Sequence, residues 1–323
     1  MDILTLDFMV RALLAAVLTG LMAPAVGTYV VQRRLSMLGD GLGHVAIAGV
    51  GLALMTGQAP VPVAVVVCVA GAIVIELLRQ SGKASGDVGL AILFYGGLAA
   101  GVLMAGIAGK GAGTLSQYLF GSLTSIDQTD LIVVAMMAAV VLLCSLGLAP
   151  QLFAVCADED FARSQGVPTR LMNILIVVLA AITVAVSMRT VGLLLVSAMM
   201  VIPVATSSNI VLGFKKSLFF SMLIGLLTSV GGVFGSYYFD TASGASIVVL
   251  AIMVYVISLP ASSYIQRRHR KTPKEPEVHV FPRAEDHDME QAQNYPAMLH
   301  GDHVDYLHNG HRHAPHGDHF DEH

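Results

Sequence analysis

Asp40 and His44 are two ionisable residues that stand four positions apart in an otherwise apolar stretch of the sequence. On a helix this spacing places both side chains on one face, about one turn apart. A carboxylate oxygen and an imidazole nitrogen that converge from one face form a partial site for a divalent transition metal. The competing interpretation is that Asp40 caps a helix N-terminus while His44 donates to a neighbouring carbonyl. Two ligands are too few for a tight site, which suits a conduit that must release its ion.

A second group of possible ligands lies near the C-terminus, where histidines recur at short intervals. Neutral imidazoles at such separations can surround Zn²⁺ in many alternative arrangements, with nearby aspartates as optional oxygen ligands. We expect a weak, fluxional site that loses affinity as protons occupy the imidazoles. The competing interpretation is a solvated tail without a role. The histidines concerned are His300, His303, His308, His311, His313, His316, His319 and His323.

No catalytic pattern accompanies these groups in the sequence. Gly82-Lys83 and Gly109-Lys110 lack the flanking residues of a phosphate-binding loop, and neither Gly-x-Ser-x-Gly nor His-Glu-x-x-His occurs. If this protein moves an ion uphill, another subunit or an ion gradient must supply the work. The sequence therefore predicts a transport subunit, not an enzyme, with no tightly bound cofactor and with Zn²⁺ as its substrate.

Charge divides the chain into two parts. Residues 1–266 hold 11 Lys/Arg and 11 Asp/Glu, whereas residues 267–323 hold 7 and 11, so the net charge of −4 belongs to the tail. Only 12% of the residues are charged, against roughly 25% in a typical soluble domain. Apolar runs that match the thickness of a bilayer recur in the first part. We predict a transmembrane domain over 1–266 and a polar, disordered, His-rich tail over 267–323.

Composition also excludes several function classes. The first part has no net positive charge from which to form a basic face, which argues against nucleic-acid binding. The three cysteines lie in apolar or near-apolar runs, which excludes a secreted disulfide scaffold. The first apolar run follows two acidic residues and is too long for the core of a signal peptide.

Nine apolar stretches predict an all-α polytopic membrane protein, with eight to ten as the range considered. With the N-terminus outside, an odd count places 15 Lys/Arg in the cytoplasm and 3 outside, as the positive-inside rule favours. The stretch 110–125 is too polar to span and is expected to lie at the membrane interface. The charged segment 151–169 and the tail are expected in the cytoplasm. The nine predicted spans are about 8–31, 41–57, 60–78, 88–108, 130–149, 170–187, 190–209, 217–239 and 245–265.

Several motifs follow one another in an order that is typical of one family. They begin at Ala15-Ala16-Val17-Leu18-Thr19-Gly20, and the segment from Gly27-Thr28-Tyr29 through Asp40 to His44-Val45-Ala46 follows. The later motifs are Asp158-Glu159-Asp160-Phe161-Ala162 with Gly166-Val167, Val191 to Ser197, Pro203-Val204-Ala205-Thr206 and Ser243 to Val248. This series, which covers about residues 8–265, resembles the membrane permeases of the zinc/manganese ABC uptake systems, the ZnuB-like family. Ala242 departs from the pattern, because many relatives have a proline there.

The resemblance implies the ABC importer permease fold, with a cytoplasmic coupling helix that docks into a groove of the ATPase. It implies three partners, which are a cytosolic ATP-binding subunit in two copies, an extracytoplasmic metal-binding protein and a second copy of the permease. Asp40 and His44 match the positions proposed in that family to meet the metal. The segment 151–169 matches the coupling helix, and its matching residues are Asp158, Glu159, Asp160, Ala162 and Gly166.

These observations predict the permease subunit of an ATP-driven Zn²⁺ importer in a bacterial inner membrane. Imidazole-rich chemistry favours Zn²⁺ over Mn²⁺, and a Mn²⁺ or Fe²⁺ permease is the alternative within the same class. A gradient-driven metal transporter with a His-rich regulatory tail is the alternative from another class. A permease for a larger metal chelate, with a roomier pathway, is the third possibility.

Overall fold

The computed structural model describes residues 7–81, 86–109, 112–121, 127–188, 191–269, 295–300, 303–308, 311–316 and 319–322. The chain divides into two compact units, Met1–Ile265 and Gln266–His323. Helices make up the first unit and strands occur in the second. The helices are α1 (Asp7–Gln32), α2 (Leu38–Thr56), α3 (Pro60–Gln80), α4 (Gly86–Ile107), α5 (Ala112–Phe120), α6 (Gln128–Gly147), α7 (Ala149–Ala157), α8 (Glu159–Ser164), α9 (Thr169–Ser187), α10 (Leu193–Ile210), α11 (Phe214–Phe239) and α12 (Ser243–His269).

Seven helices are long and apolar enough to cross a membrane, by length and composition, among the residues that the structure describes. They are α1, α2, α3, α6, α9, α11 and the Ser243–Pro260 part of α12. The other two predicted spans fall on α4 and α10, whose apolar parts, Ala91–Ile107 and Leu195–Ile210, are shorter than those of the seven. The molecule is therefore helical and polytopic, while the count of nine spans stays a prediction.

Glycines at the crossing points let the helices of the bundle approach closely. A Cβ atom at Gly51 of α2 would lie 2.5 Å from the carbonyl oxygen of Gly101 on α4, and one at Gly27 of α1 would lie 1.9 Å from that of Met200 on α10. Helices in lipid have no hydrophobic reason to associate, so such backbone contacts are what small residues provide. These contacts pack α4 against α2, the helix that carries Asp40, and α10 against α1.

The start of α2 differs from the prediction. The helix begins at Leu38, three residues before the predicted span 41–57, so that Asp40 and His44 both lie inside it. Met37 occupies the N-cap position, and no side chain caps this end of the helix. The interpretation of Asp40 as a helix cap is therefore wrong, because the cap falls three residues earlier.

Four strands form an antiparallel sheet in the second unit, in the order β1-β2-β3-β4. The strands are β1 (Ala297–His300), β2 (His303–His308), β3 (His311–His316) and β4 (His319–Glu322). The tail was predicted to be disordered, whereas the structure has four strands in it. The prediction used composition alone, which does not show that the sequence repeats every eight residues with Gly-Asp or Asn-Gly between two histidines. Such dipeptides favour two-residue hairpin connections.

Candidate metal-binding site and coupling segment

Asp40 and His44 lie one turn apart on α2, as their spacing predicts. The hydroxyl of Ser197 on α10 donates a hydrogen bond to Oδ1 of Asp40. The His44 side chain is buried, and its ring lies 3.8 Å from that of Phe94 on α4, measured between centroids. Nδ1 of His44 is buried and has no hydrogen-bond partner in the described part of the chain. Within that part, this nitrogen does not donate to a carbonyl.

His44 lies level with the middle of the neighbouring helices α3 and α4. A Cβ atom at Gly97, the twelfth of the 22 residues of α4, would lie 2.7 Å from the carbonyl oxygen of His44. The thiol of Cys68, the ninth of the 21 residues of α3, donates to the carbonyl of Leu42 at 3.4 Å. Leu42 and His44 therefore lie beside the centres of α3 and α4, while Asp40 lies in the first turn of α2.

Two glycines of α2 explain how Ser197 reaches Asp40. A Cβ atom at Gly39 would lie 3.0 Å from Cβ of Ser197, and one at Gly43 would lie 3.3 Å from the carbonyl oxygen of Leu193. Without side chains at these two positions, the start of α10 packs directly on the start of α2. The sequence reasoning missed Ser197 as a partner of Asp40, since the flanking glycines indicate a close helix but do not identify it.

The arrangement offers one carboxylate, one imidazole and one hydroxyl. Among the described residues, no group of three or more His, Cys, Asp or Glu side chains is positioned to hold a metal ion. A divalent ion between Asp40 and His44 would therefore keep some of its water. Such a site is suited to transient contact with a passing ion, because few protein ligands have to be given up on release.

The predicted coupling segment folds as two short helices, α7 and α8, joined at Asp158. Oδ1 of Asp158 accepts a hydrogen bond from the backbone N–H of Phe161 at 2.9 Å, which caps α8. Ala162 is fully buried and anchors the helix. Gly166 ends it in the left-handed conformation, with φ +81°, where a residue without a side chain is favoured.

The exposed face of α8 differs from the predicted coupling set. Asp160 is 93% exposed and Arg163 is 63% exposed at their side chains. Phe161, which the sequence reasoning did not select, is 60% exposed. Aromatic side chains are enriched in protein–protein interfaces relative to the rest of the surface. Of the predicted set, Asp158, Ala162 and Gly166 build the helix, and Asp160 lies on its exposed face.

Glu159 connects α8 to the ends of two long helices through Arg33. Nη2 of Arg33, which follows α1, lies 3.9 Å from Oε2 of Glu159, and the Arg33 side chain is only 7% exposed. On α3, the buried carboxylate of Glu76 accepts two hydrogen bonds from Arg79, at 2.9 Å and 2.7 Å, and one from Gln80 at 2.9 Å. The fork geometry makes this pair strong and specific.

The charges around Arg33 act on one another. Burial lowers the pKa of Arg33, the like charge of Arg79 adds to this effect, and the carboxylates of Glu76 and Glu159 oppose it. Burial also raises the pKa of the Cys156 thiol on α7 to about 11, against the opposing effect of Arg33. Arg33 is thus a buried cation where α1, α3 and the coupling segment meet, and it depends on acidic residues from two of these elements.

The histidines of the second unit fall at strand ends. In the antiparallel register His300 pairs with His303, His308 with His311, and His316 with His319. In β2, Nε2 of His303 lies 3.2 Å from Oδ1 of Asp305, whose side chain is fully buried. His313 lies opposite Tyr306, and His323 lies outside the described residues.

Comparison with known proteins follows the same division of the chain. The chain is 29% identical over 253 residues to the zinc uptake membrane protein ZnuB of Haemophilus influenzae, covering 78% of this chain and 97% of that protein. It is equally 29% identical over 258 residues to the manganese transport membrane protein MntC of Halalkalibacterium halodurans, covering 80% and 88%.

Solved structures agree with these relatives. The structure titled PsaBC from Streptococcus pneumoniae in complex with Fab is 29% identical, with a TM-score of 0.74, over 82% of this chain and 96% of that one. A putative metal-chelate type ABC transporter in an inward-facing conformation shares the fold alone, at 15% identity and a TM-score of 0.54, over 80% and 86%. The ABC 3 transport family matches residues 5–262, or 258 of the 323 residues. The chain is therefore a multi-pass membrane protein that belongs to the ABC 3 transport family.

Proposed function

We propose that this chain is the membrane permease subunit of an ATP-driven importer of Zn²⁺. The observation that carries the proposal is the pair of Asp40 and His44, which share one face of α2, with Nδ1 of His44 buried and unpartnered among the described residues. Ionisable groups inside a membrane bundle are costly, and they are usually kept for transport or binding.

The chemistry of the pair favours zinc within the class of divalent metals. Imidazole nitrogen suits Zn²⁺, whereas carboxylate and water alone suit Mn²⁺ better. His44 is the one histidine of residues 1–266, and it lies beside a carboxylate. The relatives named for zinc and for manganese are equally similar to this chain, so the metal preference rests on this chemistry.

Ser197 takes the role of a positioning residue in this proposal. Its hydroxyl donates to Oδ1 of Asp40 and leaves the second carboxylate oxygen for the ion. The bond also connects α10 to α2, so a movement of α10 relative to α2 would turn the Asp40 carboxylate relative to the His44 ring. Release of the ion would follow from such a movement.

Coupling to ATP hydrolysis is assigned to α8. Its exposed residues Asp160, Phe161 and Arg163 would dock on a cytosolic ATP-binding subunit, present in two copies against two copies of the permease. Glu159 and Arg33 would then pass movement of α8 to the ends of α1 and α3. An extracytoplasmic metal-binding protein would deliver the ion, with the N-terminus outside and the C-terminal tail in the cytoplasm of a bacterial inner membrane.

Reconstituted transport tests the proposed pathway. Proteoliposomes that contain the permease and its ATP-binding subunit are expected to accumulate ⁶⁵Zn²⁺ only with ATP, and Asp40→Ala or His44→Ala should abolish uptake. Asp240→Asn is a suitable control, because Asp240 lies at the left-handed C-cap of α11, where asparagine is also tolerated. Uptake that survives both pathway substitutions would refute the site. ⁵⁴Mn²⁺ transported in preference to ⁶⁵Zn²⁺ would refute the assigned metal.

Co-purification of the ATP-binding subunit tests the docking helix. Phe161→Ala should reduce the amount of that subunit retained by the permease, because it removes an exposed aromatic ring from α8. Leu171→Ala on α9 is the matched control, since Leu171 is also an exposed apolar residue, with 59% exposure against 60% for Phe161. Equal retention by both variants would contradict the assignment of α8.

A further inference from the structure

Arg33 is a buried cation that is incompletely paired among the described residues. Its side chain is 7% exposed, and its Nη2 lies 3.9 Å from Oε2 of Glu159, which is beyond hydrogen-bond distance. Nη1 of Arg33 is also buried and has no hydrogen-bond partner within the described ranges. A buried charge is costly unless it is both paired and hydrogen-bonded. A carboxylate that moved closer to Arg33 would therefore form a stabilising contact.

Glu76 is not the carboxylate that is free to move towards Arg33. Both of its oxygens already accept hydrogen bonds, Oε2 from Nε of Arg79 at 2.9 Å and Oε1 from Nη2 of Arg79 at 2.7 Å. Oε1 also accepts from the side-chain nitrogen of Gln80 at 2.9 Å. All three residues belong to α3, so the Glu76 carboxylate is held by its own helix, and drawing it towards Arg33 would break these bonds.

Glu159 is the carboxylate that stands between two cations. Its Oε2 faces Arg33, and its Oε1 accepts a hydrogen bond at 3.3 Å from Nη2 of Arg163, four positions along α8. The Arg163 side chain is 63% exposed. An ion pair in solvent adds little stability, whereas pairing of a buried guanidinium offsets the cost of its desolvation. Arg163 thus holds Glu159 in the weaker of its two pairings, and it does so from the exposed face of α8.

We propose that docking of the ATP-binding subunit makes Glu159 exchange partners, with Arg163 turning to an acidic side chain of that subunit and Glu159 closing on Arg33. The inference rests on the proposed function, because it takes α8 to be the docking helix. An acidic side chain is the partner required, since a carboxylate can replace Glu159 at the Arg163 guanidinium with the same charge-assisted hydrogen bonds.

Arg33 is the positioning residue of this exchange. It follows the last residue of α1, where Arg34 takes the left-handed conformation that ends helices, with φ 58°. A displacement of Arg33 therefore acts directly on the end of α1. This helix approaches the backbone of α10 at Gly27, and α10 carries Ser197, the hydrogen-bond donor to Asp40. The exchange thus connects the docked subunit to the proposed metal site through direct contacts.

Binding of the ATP-binding subunit to the permease in nanodiscs tests the proposal. Arg33→Met and Glu159→Gln should each raise the dissociation constant about tenfold, as loss of a hydrogen bond to a charged group does, and the double variant should show no further rise. Arg34→Met is the matched control, because it removes the neighbouring arginine, whose side chain is exposed. Equal effects of Arg33→Met and Arg34→Met, or losses that multiply in the double variant, would overturn the proposal.

Thermal unfolding of the permease alone tests the exchange without the subunit. Arg163→Gln removes the competitor, so Glu159 should close on Arg33 in the isolated chain. Glu159→Gln should then lower the unfolding midpoint more in the Arg163→Gln background than in the parent, and adding Arg33→Met should abolish this difference. An equal or smaller drop would refute the exchange. A parent permease that binds no subunit would instead refute the proposed function, and the unfolding measurement would still decide whether Glu159 changes partners.

Discussion

Replacing Gly97 by alanine tests whether α4 has to approach the backbone of α2 beside His44. The added Cβ atom would lie 2.7 Å from the carbonyl carbon and oxygen of His44 and from the backbone nitrogen of Val45. These are backbone atoms, so no side-chain rotation relieves the contact. The two helices must separate, and the separation would pull Phe94 away from the His44 ring, which it now contacts at 3.8 Å.

The expected cost follows from the size of this overlap. Ordinary van der Waals contact begins at 3.4 Å, so an approach of 2.7 Å requires α4 to move by 0.7 Å, the difference between the two distances. Overpacking of this kind costs about 1–3 kcal/mol. Alanine is favoured over glycine within a helix by about 0.8–1.0 kcal/mol, and this gain offsets part of the loss.

The neighbouring glycine provides a matched control that cancels the helix propensity. A Cβ atom at Gly96 would meet nothing within 4 Å, so Gly96→Ala gains the propensity without the overlap. We expect the free energy of unfolding to differ between the two variants by about 1–3 kcal/mol, with Gly97→Ala the less stable. Thermal unfolding in nanodiscs measures this difference, and ⁶⁵Zn²⁺ uptake shows whether the site is disturbed. Equal unfolding midpoints, or full uptake by Gly97→Ala, would refute the close approach of α4 to His44.

Two further predictions concern polar contacts of the bundle. Ser197→Ala removes the hydrogen-bond donor to Asp40. Loss of a hydrogen bond to a charged group costs about 1.5–3 kcal/mol, so the KM for metal uptake should rise at least about tenfold. Ser208→Ala, which removes a hydrogen bond within its own helix, should leave the KM unchanged. Glu76→Gln removes the carboxylate from its buried contact with Arg79 and should lower the free energy of unfolding by about 3 kcal/mol, the low end for a broken buried pair, since Arg79 is one-third exposed. Partial recovery on adding Arg79→Gln would confirm that the unpaired cation is the cause, and equal loss in the double variant would contradict it.

Hydropathy predicts the helices of the first unit because an apolar run of span length has few other stable forms in a membrane. The start of α2 was less predictable. Its first residues, Leu38-Gly39-Asp40-Gly41, have weak helix propensity, and α10 packs on Gly39, so tertiary contact extends the helix. In the tail, the missing information was local. Its polar composition predicts disorder, but the regular spacing of its hairpin dipeptides favours strands.

The candidate site was predicted in part for a similar reason. Local spacing alone brings Asp40 and His44 to one face, whereas Ser197 is 157 residues from Asp40 in the sequence and is selected only by the packing of α10. The contact between Arg33 and Glu159 is likewise made by the fold and not by spacing. Sequence patterns identify groups on one element, and partners from other elements require the arrangement of the helices.

Successive connections of the sheet alternate between its two ends, because each repeat of eight residues contributes one strand and one connection. The last residues of β1 and β3, His300 and His316, which are 16 residues apart in the sequence, therefore lie at the same end of the sheet. Deleting one repeat of eight residues would leave the two remaining His-x-x-His pairs at opposite ends of the sheet. Duplicating 16 residues would instead add another pair to the end that already has two. A tail that is selected to gather its histidine pairs at one end should thus vary in length by pairs of repeats, whereas a tail selected only for its number of histidines could grow or shrink by single residues.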